Sequence, residues 1–210
     1  MSETTAVGRV SGLRSYPVKS LDAPNLDQVQ VLAGGLEHDR GWAVVGADGD
    51  VVTGRQVPSL SEVRAMAPSG PSPAPTLLLP GADRHLADEE AVLALSEVVG
   101  RSVTLQPASG AGPGFNEVAA VHLVSRQAVE RAAADEGTIL GDPACSVEQP
   151  RANVVVELDG EELETSWVGR EVSLGEVVLR ISKQPKHCLG VYADVVRPGL
   201  LRVGDGVRLG

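Results

Sequence analysis

Aromatic side chains are almost missing from this chain: two Trp, two Tyr and one Phe make up 2% of its 210 residues. A core built on aromatic clusters is thereby excluded, and the 42% of hydrophobic residues must pack mainly as Val, Leu and Ala. Positive charge is also short. Lys and Arg number 18 against 28 Asp and Glu, a formal net charge of −10. A protein that neutralises a nucleic-acid backbone carries a basic face, so no nucleic-acid partner is expected. A small cationic pocket for a small anion remains compatible, because a local field can oppose the net charge. No stretch approaches the ~18 apolar residues of a membrane span, and Met1–Arg9 is polar, without the apolar segment of an export signal. These absences lead us to expect a cytoplasmic protein with no membrane partner. The only cysteines are Cys145 and Cys188, without C-x-x-C spacing. Two cysteines cannot form a zinc site alone, and in the cytoplasm their thiols are expected to be reduced.

What is present is a series of short apolar runs punctuated by Gly, Pro, Asp and Asn. Val10, Leu13, Val18, Val29, Val31, Leu32 and Val44–Val45 lie in such runs, with the spacing of short strands. Trp42–Val45, Gly46-Ala47-Asp48-Gly49 and Val51–Thr53 read as a β-hairpin, with Asp-Gly supplying the positive φ of a tight turn. Pro68–Pro75 is too rich in breakers for a helix interior. Asp88-Glu89-Glu90 opens a helix at its positive dipole end, with Val92, Leu95 and Val99 as its apolar stripe and Gly100 as its stop. A strand follows at Val103–Gln106. Ala108–Gly114 is a glycine-rich linker that lacks the Lys-Ser/Thr of a phosphate loop. A buried strand is expected over Val118–Val124, then a helix capped by Ser125 and ending near Glu136-Gly137. Further strands are expected at Asn153–Glu157, Val172–Leu174, Val177–Ile181, Leu189–Val196 and Leu200–Leu209. The expected fold is mainly β with peripheral helices (α+β), of barrel type.

Several segments, taken in order, resemble one family. They are Tyr16-Pro17-Val18-Lys19-Ser20, Gly35-Leu36-Glu37-His38-Asp39-Arg40 and Thr53-Gly54-Arg55-Gln56-Val57-Pro58 in the first half. In the second half they are Arg151-Ala152-Asn153, Glu164-Thr165-Ser166-Trp167-Val168-Gly169-Arg170, Gly190-Val191-Tyr192-Ala193 and Val203-Gly204-Asp205. Each alone is weak, but their joint order over most of the chain is specific. The chain resembles the MOSC family, the molybdenum-cofactor sulfurase C-terminal domain proteins, and in particular the branch of the amidoxime-reducing components. The resemblance implies a smaller N-terminal MOSC-associated β-barrel segment over 7–107 and a β-barrel MOSC domain over 116–210. It also implies a molybdenum cofactor (molybdopterin), a cysteine thiolate on the metal, and basic and hydroxyl side chains on the pterin phosphate.

An anionic phosphorylated pterin needs cationic and hydroxyl donors. Lys19 can supply a point charge, Ser20 a hydroxyl, and Arg40, Arg55 and Arg151 forked donors. Asn153 can read a pterin edge as donor and acceptor. Each also has a plain reading: Lys19 and Ser20 as turn residues, Asp39–Arg40 as a surface ion pair, Arg55 as a hairpin cap, Asn153 bonded to backbone. Cys188 is the candidate metal ligand and catalytic residue, because thiolate is a soft, strong ligand. Lys183, Lys186 or protonated His187 nearby would favour its charged form. Its plain reading is a small core residue. Cofactor-binding relatives carry an insert of tens of residues after this cysteine, whereas here Cys188-Leu189 runs straight into Gly190-Val191-Tyr192-Ala193. Cys145, in a loop, reads as structural or incidental, and His122 as a satisfied core or edge histidine. Glu164 and Asp194 are candidates for proton transfer, with Glu164 reading otherwise as a cap or a partner of Arg170.

Three functions follow. The first is a molybdenum-cofactor oxidoreductase that reduces N-hydroxylated or N-oxygenated small molecules. Electrons would come from an external donor protein, since no haem, flavin or iron–sulfur motif is present. The second is a non-redox carrier module that binds molybdopterin, sulfur or another anionic small molecule, a reading the missing insert supports. The third, a cysteine-dependent hydrolase or transferase, lacks a nucleophile motif.

Overall fold

Val, Leu and Ala fill the apolar runs, and β-branched residues pack well on a half-buried pleated surface. The chain accordingly folds mainly as strands. A computed structural model of the protein describes residues 4–69, 72–109, 114–115, 118–134, 151–186 and 188–210. In chain order the first strands are β1 (Thr5–Leu13), β2 (Gln28–Leu32), β3 (Gly35–Leu36), β4 (Trp42–Gly46), β5 (Arg64–Met66), β6 (Thr76–Leu78) and β7 (Val103–Pro107). They are followed by β8 (Val121–Ser125), β9 (Val154–Leu158), β10 (Glu171–Leu174), β11 (Val177–Lys183), β12 (Val191–Arg197), β13 (Gly199–Arg202) and β14 (Gly206–Leu209). The α-helices among the described residues are α1 (Asp88–Val99) and α2 (Arg126–Ala134). Contacts group the chain into two compact units that are interleaved along the sequence. Unit one takes Met1–Arg14, Asn25–Glu37 and Val118–Gly210; unit two takes Ser15–Pro24 and His38–Glu117.

Unit one is built on a closed seven-stranded barrel, in the order β1-β14-β10-β11-β12-β8-β9. Its pairs are antiparallel except β8–β9, which is parallel. A parallel pair needs a crossover, and α2 begins that connection directly after β8. Ser125 caps α2 as expected, its Oγ accepting the Ala128 N–H at 3.1 Å. The interior is aliphatic: Val10, Leu123, Val154, Val156, Leu174, Leu179 and Ile181 are among the buried residues, with Trp167 the one large ring. Full burial of each such side chain contributes about 1.5–3 kcal/mol.

The expected closing strand Leu200–Leu209 is in fact two strands. Gly204 turns at φ +94, the Asp205 carboxylate accepts the Arg202 N–H at 2.9 Å, and β13 pairs with β2 while β14 stays in the barrel. The expected strand from Val118 starts only at Val121; Val118 is 51% exposed.

Unit two contains two two-stranded sheets, β4–β7 and β5–β6. Its own core includes Val18, Leu21, Val44, Val52, Leu60, Leu77 and Leu95. The expected hairpin is present only as a short return: Val45 bridges Val51, and the Val52 N–H reaches Val44 O at 2.8 Å. Beyond it the Thr53–Val57 turn carries the chain away, and β4 pairs along its length with β7. Helix α1 buries Ala91, Ala94 and the expected Leu95, and Val99 packs against the same core half-buried, while Val92 is only half-buried. Gly100 ends it at φ +75. No described helix is long and apolar enough to cross a membrane.

Candidate functional site

Within unit two, the three N-terminal motifs converge on one set of loops. The Tyr16–Ser20 segment runs beside the start of β4: the Trp42 N–H donates to Pro17 O at 3.0 Å and the Lys19 N–H to Trp42 O at 2.8 Å. A turn closed by Leu21 N–H to Val18 O, 3.2 Å, leaves Lys19 and Ser20 half-buried at its tip. The His38–Arg40 segment packs on the same loop. Asp39 Oδ1 accepts the Tyr16 N–H at 2.8 Å, and Oδ2 accepts from Arg40 Nη1. The Arg40 N–H donates to Tyr16 O at 2.5 Å, and its guanidinium lies 5.1 Å from the Tyr16 ring centroid. The Asp39–Arg40 pair is therefore no surface ion pair, with side-chain exposures of 3% and 15%. The third motif forms a turn tied by Thr53 N–H to Gln56 Oε1, 2.8 Å. That turn sets Arg55 exposed at its tip and Gly54 against Ser20.

This cluster holds its backbone in an unusual conformation. Four described non-glycine residues have positive φ: Ser20 at +73, His38 at +62, Arg40 at +50 and Asp88 at +47. Three of the four belong to these loops. An L-residue there costs about 1–2 kcal/mol, and such conformations persist where the surroundings over-determine them, often at binding sites.

Within unit one, the Cys188 loop is fastened to β8. His122 Nε2 lies 2.7 Å from Leu189 O, and the Tyr192 ring lies 5.1 Å from the His122 ring. Gly190 has φ +86, and a Cβ there would lie 2.2 Å from Leu123 O, so the chain crosses β8 in direct backbone contact. Cys188 itself is half-buried and disulfide-bonded. This differs from the reduced thiol expected from the sequence. Cys145, the chain's other cysteine, lies outside the described residues, as does His187.

Arg151 is half-buried at the approach to β9. Asn153 is fully buried, and its amide serves the backbone: Oδ1 accepts the His122 N–H at 3.1 Å and Nδ2 donates to Arg14 O at 3.2 Å. It ties β8 to the end of β1, where the sequence suggested a pterin-edge contact. His122 is a satisfied histidine, as its strand setting suggested. Glu164 is also fully buried, with neither carboxylate oxygen hydrogen-bonded among the described residues. It does not pair with Arg170, whose Nε donates to Gly210 O at 3.1 Å. Asp194 is exposed on β12.

Sequence reasoning gave Tyr16 no role and read Asp39 only as a surface partner of Arg40, whereas the two frame the cationic loops. The signal was Asp39 beside Arg40 in the Gly35-Leu36-Glu37-His38-Asp39-Arg40 segment. The carboxyls held clearly below their ordinary range lie on the exposed surface of unit two: Asp48, through the Asp50 N–H and then Arg101, and Glu90, through Arg84. Among the described residues no group of three or more His, Cys, Asp or Glu is arranged to hold a metal ion directly. Lys19, Ser20, Arg40 and Arg55 in turn suit a phosphate, since the Asp39 carboxylate is spent on Tyr16 and Arg40.

Comparison with known proteins adds three findings. Residues 7–108, just under half of the chain, match the family model of the MOSC N-terminal beta barrel domain. The mitochondrial amidoxime reducing component 2 of Bos taurus is 45% identical over 58 residues, covering 26% of this chain and 17% of that protein. The YUAD protein from Bacillus subtilis, a solved structure, aligns over 100% of this chain and 98% of its own at 15% identity, with a TM-score of 0.48.

Proposed function

We propose, from the match of residues 7–108 to the MOSC N-terminal beta barrel domain model, that the chain binds a molybdenum cofactor and uses it to reduce N-hydroxylated or N-oxygenated small molecules. The observation that carries this reading is the convergence of Lys19, Ser20 and Arg40 in loops held at positive φ. Such preformed loops present donors without a further ordering cost.

In this reading Lys19 and Ser20 hold the cofactor's phosphate, and Arg40 and Arg55 add guanidinium donors. Tyr16 and Asp39 fix the Arg40 fork in place. Arg151 contributes a further forked donor, and Asn153 acts by fixing the segment that carries it. Cys188, once reduced, supplies the sulfur ligand. The bound group supplies oxygen-atom acceptance and the redox equivalents, which an external donor protein renews. The protein's own share is binding, orientation and local electrostatics. The partners in this reading are a small-molecule substrate and that donor, in the cytoplasm.

A second reading, a carrier that holds molybdopterin, sulfur or another anion without turning it over, is favoured by one feature. Cys188 leads into β12 with no insert to wall a substrate pocket.

The test is metal and pterin analysis of protein expressed in a host that makes molybdopterin, with oxidative release of fluorescent pterin. Molybdenum and pterin near one per chain, both lost in Lys19→Ala and molybdenum lost in Cys188→Ser, are expected for the enzyme. Reduction of an amidoxime with a chemical electron donor then follows. Pterin that survives Cys188→Ser with no turnover by the parent protein is the carrier's result. Absence of both metal and pterin removes both readings.

A further inference from the structure

Unit two carries an open groove of about 500 Å³ between the first turns of α1 and the end of the β4–β7 sheet, a volume in the range of small-molecule sites. The groove follows from how the layers meet. After the Gly100–Ser102 connection, β7 returns along α1 and pairs with β4, with Trp42 opposite Pro107 and Val44 opposite Leu105. Side chains alternate across a strand, so Trp42, Val44, Val103 and Leu105 share one face of the sheet. Val44 and Val103 are buried in one core with Ala91 and Leu95. Trp42 and Leu105, nearer the other end, are only half-buried and line the groove. Leu93 of α1 lines it too and is 67% exposed. The chain has two Trp; Trp167 is buried in the barrel, whereas Trp42 is left facing this hollow.

The groove's charge is of one sign. Three acids open α1. Glu90 accepts from both guanidinium Nη atoms of Arg84, at 2.8 and 3.1 Å. Asp88 and Glu89 line the groove and meet no cation among the described residues. Asp88 Oδ1 accepts only the Ser72 hydroxyl, at 3.1 Å. The positive end of the helix dipole, worth about half an elementary charge, offsets only part of two carboxylates.

We propose that this groove binds a small organic ammonium. Its apolar body lies on Trp42, Leu93 and Leu105, and its cationic head sits against Asp88 and Glu89. The two carboxylates repel an anion, and a neutral apolar molecule leaves them unanswered. An indole is the strongest aromatic partner for an ammonium group. The site is separate from the cationic loops and does not depend on the cofactor reading.

The full chain is titrated with phenylbutylammonium, phenylbutanol and phenylbutyrate, which share one apolar body and differ in head charge. Binding is read by calorimetry and by Trp fluorescence, in which Trp42 is the exposed reporter because Trp167 is buried. The ammonium is expected to saturate a single site, the alcohol to bind roughly tenfold more weakly, and the carboxylate not to bind. Glu89→Gln, alone and together with Asp88→Asn, should bring the ammonium toward the alcohol's affinity and leave the alcohol's unchanged. Leu93→Lys, at an exposed position, sets a fixed cation in the groove and should abolish ammonium binding with the thermal midpoint retained. Equal affinity for ammonium and alcohol overturns the proposal, as does ammonium binding that survives Leu93→Lys, or no saturable binding into the millimolar range. A dimer in sedimentation velocity that Leu93→Lys dissolves gives the groove to a second copy of the chain and overturns it as well.

Discussion

Ser20 and Asp39 illustrate how individual residues shape the cationic loops, and they lead to opposite expectations. Ser20 sits at φ +73, a conformation that Gly adopts freely and a β-branched residue resists. Ser20→Gly should therefore leave stability unchanged or raise it by about 1 kcal/mol. Ser20→Val should lower it by about 2 kcal/mol. Urea unfolding midpoints order the two; a Val variant as stable as the Gly variant would show that the left-handed backbone is not an intrinsic demand of the site. Asp39 works through partners. Its two oxygens satisfy the buried Tyr16 N–H and the Arg40 guanidinium. Asp39→Ala leaves both donors stranded and should cost roughly 2–4 kcal/mol. Asp39→Asn keeps one carbonyl acceptor and should cost about half as much. Equal losses for the two variants would mean that the charge, and not the acceptor geometry, carries the effect.

At the scale of elements, the loop from Cys188 into β12 makes a demand that the barrel alone does not reveal. Gly190 and Gly204 both have positive φ, at +86 and +94, but only Gly190 meets backbone, with Leu123 O 2.2 Å from a Cβ placed there; nothing lies within 4 Å at Gly204. Gly204→Ala should cost about 1 kcal/mol, the conformational penalty alone. Gly190→Ala must also push β12 off β8 and should cost clearly more, about 3 kcal/mol or above. Similar thermal midpoints for the two variants would contradict the close approach. Elements of this kind were unevenly legible in the sequence. The Ser125 cap, the Gly100 stop and the β9, β10 and β11 strands follow from local chemistry, which is where sequence patterns act most directly. The division of Leu200–Leu209 into β13 and β14 was marked by Val203-Gly204-Asp205, but an apolar run on both sides hid it. The pairing of β4 with β7 joins segments more than fifty residues apart, and no local pattern encodes that choice. At the site, residue types announced Lys19, Ser20 and Arg40. The use of Asn153 as a backbone tie, the Tyr16–Asp39–Arg40 frame and the oxidised state of Cys188 depend on tertiary neighbours that the sequence does not list side by side.

For the whole molecule, the decisive fact is that chain order and compact units do not coincide. The segments 7–107 and 116–210 divide the sequence cleanly, yet β1, β2 and β3 group with the C-terminal strands. In the barrel β1 lies between β14 and β9, pairing with both over most of its length. A fragment of residues 118–210 keeps six of the seven barrel strands but loses this one. It would expose the edges of β14 and β9, and unpaired edges template aggregation. It would also remove Val10 and Leu13 from the interior, roughly 3–6 kcal/mol of burial by the usual area scale, which is comparable to the net stability of a small domain. The fragment is therefore expected to show no cooperative urea transition and to aggregate, although it contains most of the barrel. Adding a peptide of residues 4–14 should restore part of the β signal in far-ultraviolet circular dichroism, because that strand supplies the missing register with β9 and β14. A sharp, reversible transition in the bare fragment would mean that the barrel closes without β1, and that the N-terminal strand serves the cationic loops it leads into and not the barrel's stability.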